Sequence, residues 1–215
     1  MRSAKTAATE TPVAIGYWAA LPDICTALAF ALVWASPLRF GPFSVKTAML
    51  TMLLEFFLIH ATGFFTVFAN TPDASRLKRI GSLLGLSSFY VLMIGAFCMG
   101  FGTWWPLLGF LWLLIGKILW VRAHPVVDPD DTMFWQMAAW AGSVVAYLFG
   151  CFATIVPDIP RWGMTEALQP RFGLTGGGVW IDEPHRVVAF GVVYFGALAA
   201  GKLLAAAIVQ WRSRR

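Results

Sequence analysis

Charge is what this sequence has least of. Asp, Glu, Lys and Arg make up 13% of the 215 residues, whereas 59% are hydrophobic. A soluble domain carries about 25% charged and about 45–50% apolar residues. So few charges cannot clothe a water-soluble fold of this size, and the surplus apolar surface must face lipid. Cysteine is also scarce. Cys25, Cys98 and Cys151 each lie inside an apolar run and none forms a CxxC pair, so neither a disulfide frame nor a zinc site is indicated. No basic, aromatic-interleaved face exists to track phosphates, so the net charge of +5 implies no nucleic-acid partner. Lys and Arg stand instead singly or in short groups at the ends of apolar runs, where they set membrane orientation.

What the chain does have is long apolar runs. A spanning helix needs roughly 20 such residues. Runs at 46–69, 80–100, 104–121, 134–156 and 187–209 qualify, each bounded by Pro, Gly or charge. A further run, Tyr17 to Ala35, is interrupted by Pro22 and Asp23. It reads as a helix starting near Leu21 with Asp23 in its favourable first turn, as a longer helix kinked at Pro22, or as a signal peptide ending at Val33-Trp34-Ala35. The long leader carrying Glu10 favours retention. The expectation is an all-α, polytopic integral membrane protein of about six transmembrane helices in one domain, with a connection at 157–185.

Orientation follows from the basic residues. Arg2, Lys5, Arg76, Lys78, Arg79, Arg122, Arg212, Arg214 and Arg215 fall on one side, against Arg39, Lys46, Arg161, Arg171 and Arg186 on the other. That bias predicts both termini in the cytoplasm and the 157–185 connection outside. This connection holds four prolines and Gly176-Gly177-Gly178; a short surface helix is expected near Met164 to Gln169.

Polar residues inside the runs are the candidate sites. At 100° per residue Thr47, Thr51, Glu55, Thr62 and Thr66 fall on one narrow face of the 46–69 span. An acid at such depth is costly and usually faces a bundle interior or a wet cavity. Glu55 then reads either as a proton or cation site on a threonine-lined path, or as a protonated packing residue. His60, five residues on, is turned about 140° away from Glu55, so the two cannot chelate one metal. It is expected at a different interhelical contact. Lys117 and Lys202 read first as snorkelling to the interface, with pairing of Asp23 with Lys202 or Lys117 as the alternative.

Outside the runs, Asp182, Glu183 and His185 form a candidate external site, with His185 and Arg186 at the outer surface. In the 122–132 connection His124, Asp128, Asp130 and Asp131 offer a cation site as one reading, but Asp130, Asp131 and Thr132 read mainly as caps of the next span. Gly81/Gly85, Gly196/Ala200 and Gly201/Ala205 have small-xxx-small spacing, for which packing within the chain is a sufficient explanation. Phe56 to His60 resembles the FxxxH motif of CAAX-type intramembrane proteases, but the Glu-Glu pair which that family also needs is missing. No catalytic residue, cofactor or metal set emerges. The reading is a non-catalytic accessory, assembly or partner-binding component of a bacterial inner membrane, its partners the bilayer and a membrane protein or a second copy. The alternatives are a small proton- or cation-coupled transporter or channel centred on Glu55, and an intramembrane enzyme.

Overall fold

The computed structural model describes residues 11–71, 74–123 and 129–213. Lipid offers backbone amides no hydrogen-bond partner, so each apolar run must satisfy its own by coiling into a helix. The helices are α1 (Thr11–Ala35), α2 (Ser44–Ala69), α3 (Arg76–Phe101), α4 (Trp105–Ala123), α5 (Pro129–Ile155), the short α6 (Val179–Asp182) and α7 (Pro184–Ser213), with a 3-10 helix at Glu166–Phe172. Strands are absent among the described residues. Trp18–Ala35, Ser44–Ala69, Arg76–Phe101, Gln136–Ile155 and Pro184–Arg212 are long and apolar enough to cross a membrane. The apolar stretch of α4 is shorter, Trp105–Leu119; the whole helix, Trp105–Ala123, has 19 residues and reaches about 28 Å, close to a hydrocarbon core of about 30 Å. The chain is a polytopic all-α membrane protein.

Of the three readings of the first run, the longer helix is the one that fits: α1 runs through Pro22 from Thr11 rather than starting near Leu21, which puts Asp23 in the helix interior and not in a first turn. Pro22 has no N–H for the Trp18 carbonyl four residues back, a loss that spanning helices tolerate; the Thr26 hydroxyl separately bonds back onto its own helix, donating to the Pro22 carbonyl at 2.8 Å. α5 starts at Pro129, with Asp130 and Asp131 in its first turn. Their side chains and that of Thr132, like His124 and Asp128 as a whole, lie outside the described residues.

The chain divides into two compact units, residues 1–49 with 146–215 and residues 50–145. In the first, α1 packs along α7 around an aromatic core. Phe30 meets Phe195 at 5.7 Å between ring centroids, and Tyr147 meets Phe190 at 4.7 Å and Tyr194 at 5.5 Å. Since lipid is as apolar as the side chains, helices associate in it by close packing rather than by the hydrophobic effect. Glycines create that closeness. A Cβ on Gly191 would overlap the Phe30 ring, and one on Gly150 would lie 2.8 Å from Phe190.

In the second unit, Leu54, Phe57, Ala61 and Phe65 of α2 pack with Leu83, Tyr90, Ile94 and Cys98 of α3 and with Phe110 and Leu114 of α4. Their three- and four-residue spacings put each set on one helical face. Trp140 of α5 reaches α2, its indole N–H donating to the Ile59 carbonyl at 2.9 Å over Gly63. The small-residue pairs behave differently: among the described residues nothing lies within 4 Å of a Cβ built on Gly81, Gly85, Gly196 or Gly201.

Candidate functional site

α1 and α7 bring two of the intramembrane candidates together. Lys202 Nζ lies 2.5 Å from Asp23 Oδ2. Asp23 is buried, while the Lys202 side chain remains 45% exposed. Pairing cancels two charges whose separate burial in hydrocarbon is expensive, and the flexible lysine stem lets its head reach the acid from the rim of the contact. The partner of Asp23 is therefore Lys202 and not Lys117.

α2 is the most enclosed span: half of its window is buried, against 28% or less for the others. The threonine–glutamate stripe exists as one helical face, graded from exposed Thr47 through half-buried Thr51, Glu55 and Thr62 to buried Thr66. His60 does not enter an interhelical contact as expected. It lies on the exposed face with Phe56, Phe64 and Val67. Its Nδ1 is 2.7 Å from the Phe56 carbonyl, and its ring sits 4.3 Å from that of Phe56. A carbonyl can only accept, so Nδ1 carries a proton in this contact. A wheel gave the angle between Glu55 and His60 correctly but not which direction faces outward.

The connection between α5 and α7 is a built cap. Trp34, in the last turn of α1, stacks on Trp162 at 4.2 Å and donates its indole N–H to the Pro160 carbonyl at 3.1 Å. The Gly163 amide returns a bond to the Trp34 carbonyl at 3.2 Å. Trp162 holds φ +47, the sparsely used left-handed region, and Gly163 approaches Ala35 so closely that a Cβ would overlap its carbonyl. Met164 and Phe172 are buried beneath. The expected short helix is present as the 3-10 turn Glu166–Phe172.

The external candidates do not converge. Arg186 turns inward and donates to the Thr154, Ile155 and Pro157 carbonyls at 2.8–3.0 Å, closing the end of α5 where four carbonyls lack helical partners. It also donates to Glu183 Oε2 at 2.5 Å. That hydrogen bond first, then the positive charge of Arg186 and Arg161, holds the Glu183 carboxyl below the ordinary carboxylate range. Arg161 bridges Glu166 at 3.2 Å and Glu183 at 3.9 Å. Asp182 instead accepts from the Gly178 amide at 3.2 Å. His185, expected at the outer surface, is enclosed in the first turn of α7 with 2% exposure. A sequence reads Pro184 as a helix start, but burial of the next residue depends on the cap folding over it.

Sequence reasoning missed a second polar group, in the 50–145 unit. Arg79, one of the charges that set orientation, is buried and donates to the Ala69 carbonyl at 2.9 Å, from α3 to the end of α2. Cations at a helix C-terminus oppose its dipole. Buried Asn70 donates to the Thr66 carbonyl at 2.7 Å and to Gln136 Oε1 at 3.3 Å. An asparagine one residue past an apolar run was the available signal. Among the described residues no group of three or more His, Cys, Asp or Glu is placed to hold a metal ion.

No family model, curated protein or solved structure matches this chain.

Proposed function

We propose that this protein is a non-catalytic component of a bacterial inner membrane that binds a membrane-protein partner through its cap, with both termini cytoplasmic and the cap outside. The observation carrying this reading is the construction of residues 157–183. A mere tether needs no stacked tryptophans, left-handed Trp162 or buried Phe172, whereas a recognition surface needs a fixed backbone. The cap also offers a cavity of about 330 Å³ lined by Glu166, Gln169, Pro170, Leu174, Ile181 and Asp182. Its rim is acidic, suiting a partner segment that carries a basic residue beside an apolar one.

The test is a photo-crosslinking residue at Thr175, exposed on the cap, with lipid-facing Leu92 as control. A discrete protein adduct at Thr175, lost on Asp182→Lys, is the expected result. Absence of any adduct in native membranes would overturn the reading.

A second reading, proton- or cation-coupled transport, draws on half-buried Glu55 within the most enclosed span. It requires that Glu55→Gln abolish ion flux in proteoliposomes while leaving thermal unfolding unchanged.

A further inference from the structure

A cavity of about 360 Å³ opens in the 50–145 unit, lined by Trp112, Leu113, Gly116 and Lys117 of α4 and Gln136 of α5. Its chemistry is set by a chain of hydrogen bonds that begins outside it. The Asn70 group 2.7 Å from the Thr66 carbonyl has to be the amide nitrogen, since an oxygen there would face another acceptor. The same nitrogen donates to Gln136, so the Gln136 atom facing Asn70 is its carbonyl oxygen. The Gln136 NH2 is consequently the end turned away from Asn70. Among the described residues the polar lining of the cavity is Gln136, with its NH2 left to donate, and the Lys117 ammonium, and no carboxylate. Arg79, bonded to Ala69 next to Asn70 in the chain, adds fixed positive charge at the same end of α2.

Depth fixes the kind of anion. Lys117 is two residues from the end of the apolar stretch Trp105–Leu119, about 3 Å along the axis, and Leu113 and Trp112 lie a turn deeper. Polar donors at the mouth and apolar walls inward match an amphiphile standing in the leaflet where α4 ends. A soluble anion would leave the Trp112 and Leu113 walls uncovered. Basic pockets between spanning helices are where anionic headgroups bind. We propose that this cavity is a binding site for an anionic phospholipid, its phosphodiester held by Lys117 and Gln136 and its first methylenes against Trp112 and Leu113. The site belongs to the 50–145 unit and does not depend on the partner-binding reading.

The probe is phosphatidylglycerol added to the purified full chain in mild detergent, against phosphatidylcholine and inorganic phosphate, read by native mass spectrometry and by the shift in thermal unfolding. Wild type retains and is stabilised by phosphatidylglycerol alone. Lys117→Gln weakens that retention roughly fivefold, the effect of one lysine at an anionic lipid surface. Gly116→Leu keeps the charge but fills space where a Cβ meets nothing within 4 Å, and loses retention too. Lys78→Gln, an exposed lysine at the same end, binds as wild type. Unchanged retention in both cavity variants would overturn the site. Equal stabilisation by phosphatidylcholine or by inorganic phosphate would overturn its assignment to an anionic lipid.

Discussion

Asp23 and Lys202 stand 179 positions apart in the chain and form an ion pair between α1 and α7, with Nζ 2.5 Å from Oδ2. Removing one partner leaves the other charge in an apolar contact. Lys202→Met should lower stability by about 1–3 kcal/mol, less than the ~3–5 kcal/mol of a fully enclosed pair because the lysine is half exposed. Asp23→Lys with Lys202→Asp should recover most of that loss in thermal unfolding. A double swap no more stable than the single variants would show that the pair adds nothing.

The two kinds of glycine on α7 make a paired experiment. Gly191 receives the Phe30 ring, whereas Gly196 has open space around its Cβ position. Gly191→Val should destabilise the chain by about 3 kcal/mol through overpacking, lowering the midpoint of thermal unfolding and loosening α1 from α7. Gly196→Ala should leave that midpoint unchanged or slightly raised, since alanine favours helix over glycine. Equal effects at both positions would contradict the packing described.

Glu183 gives the cap a defined response to acid. Its carboxyl titrates lower in the folded chain than its unfolded value of about 4.3. The stabilisation from its bond to Arg186 is therefore complete above about pH 4.3 and disappears as pH falls through the folded value. Comparing unfolding midpoints of wild type and Glu183→Gln should show a gap at neutral pH that closes in acid. A gap independent of pH would mean that the carboxylate charge is not what holds Arg186.

The membrane class was legible because lipid imposes a nearly one-dimensional code, in which length and hydropathy decide what can span. Angles within α2 were legible too, so Thr51, Glu55 and Thr62 do share a face. Which face turns outward is a tertiary property, and the exposure of His60 escaped for that reason. The contact-making glycines also escaped: Gly63 and Gly191 receive rings from Trp140 and Phe30 and have no small residue four positions away, and Gly150, which follows Gly142 and Ala146 at that spacing, receives the Phe190 ring rather than a helix backbone. Arg79 and Arg186 read as free surface charge. Each is spent on carbonyls at the end of another helix, a partnership that no local pattern encodes.

The closeness of α1 and α7 has a consequence for biogenesis. Translation proceeds at roughly 5–20 residues per second, so roughly ten to forty seconds separate the synthesis of Asp23 from that of Lys202. Throughout that wait the nascent α1 presents an acid without its counterion and a Phe30 ring without the Gly191 notch. Docking of these two helices therefore has to wait for α7 to be made, and until then the buried face of α1 has neither of its partners.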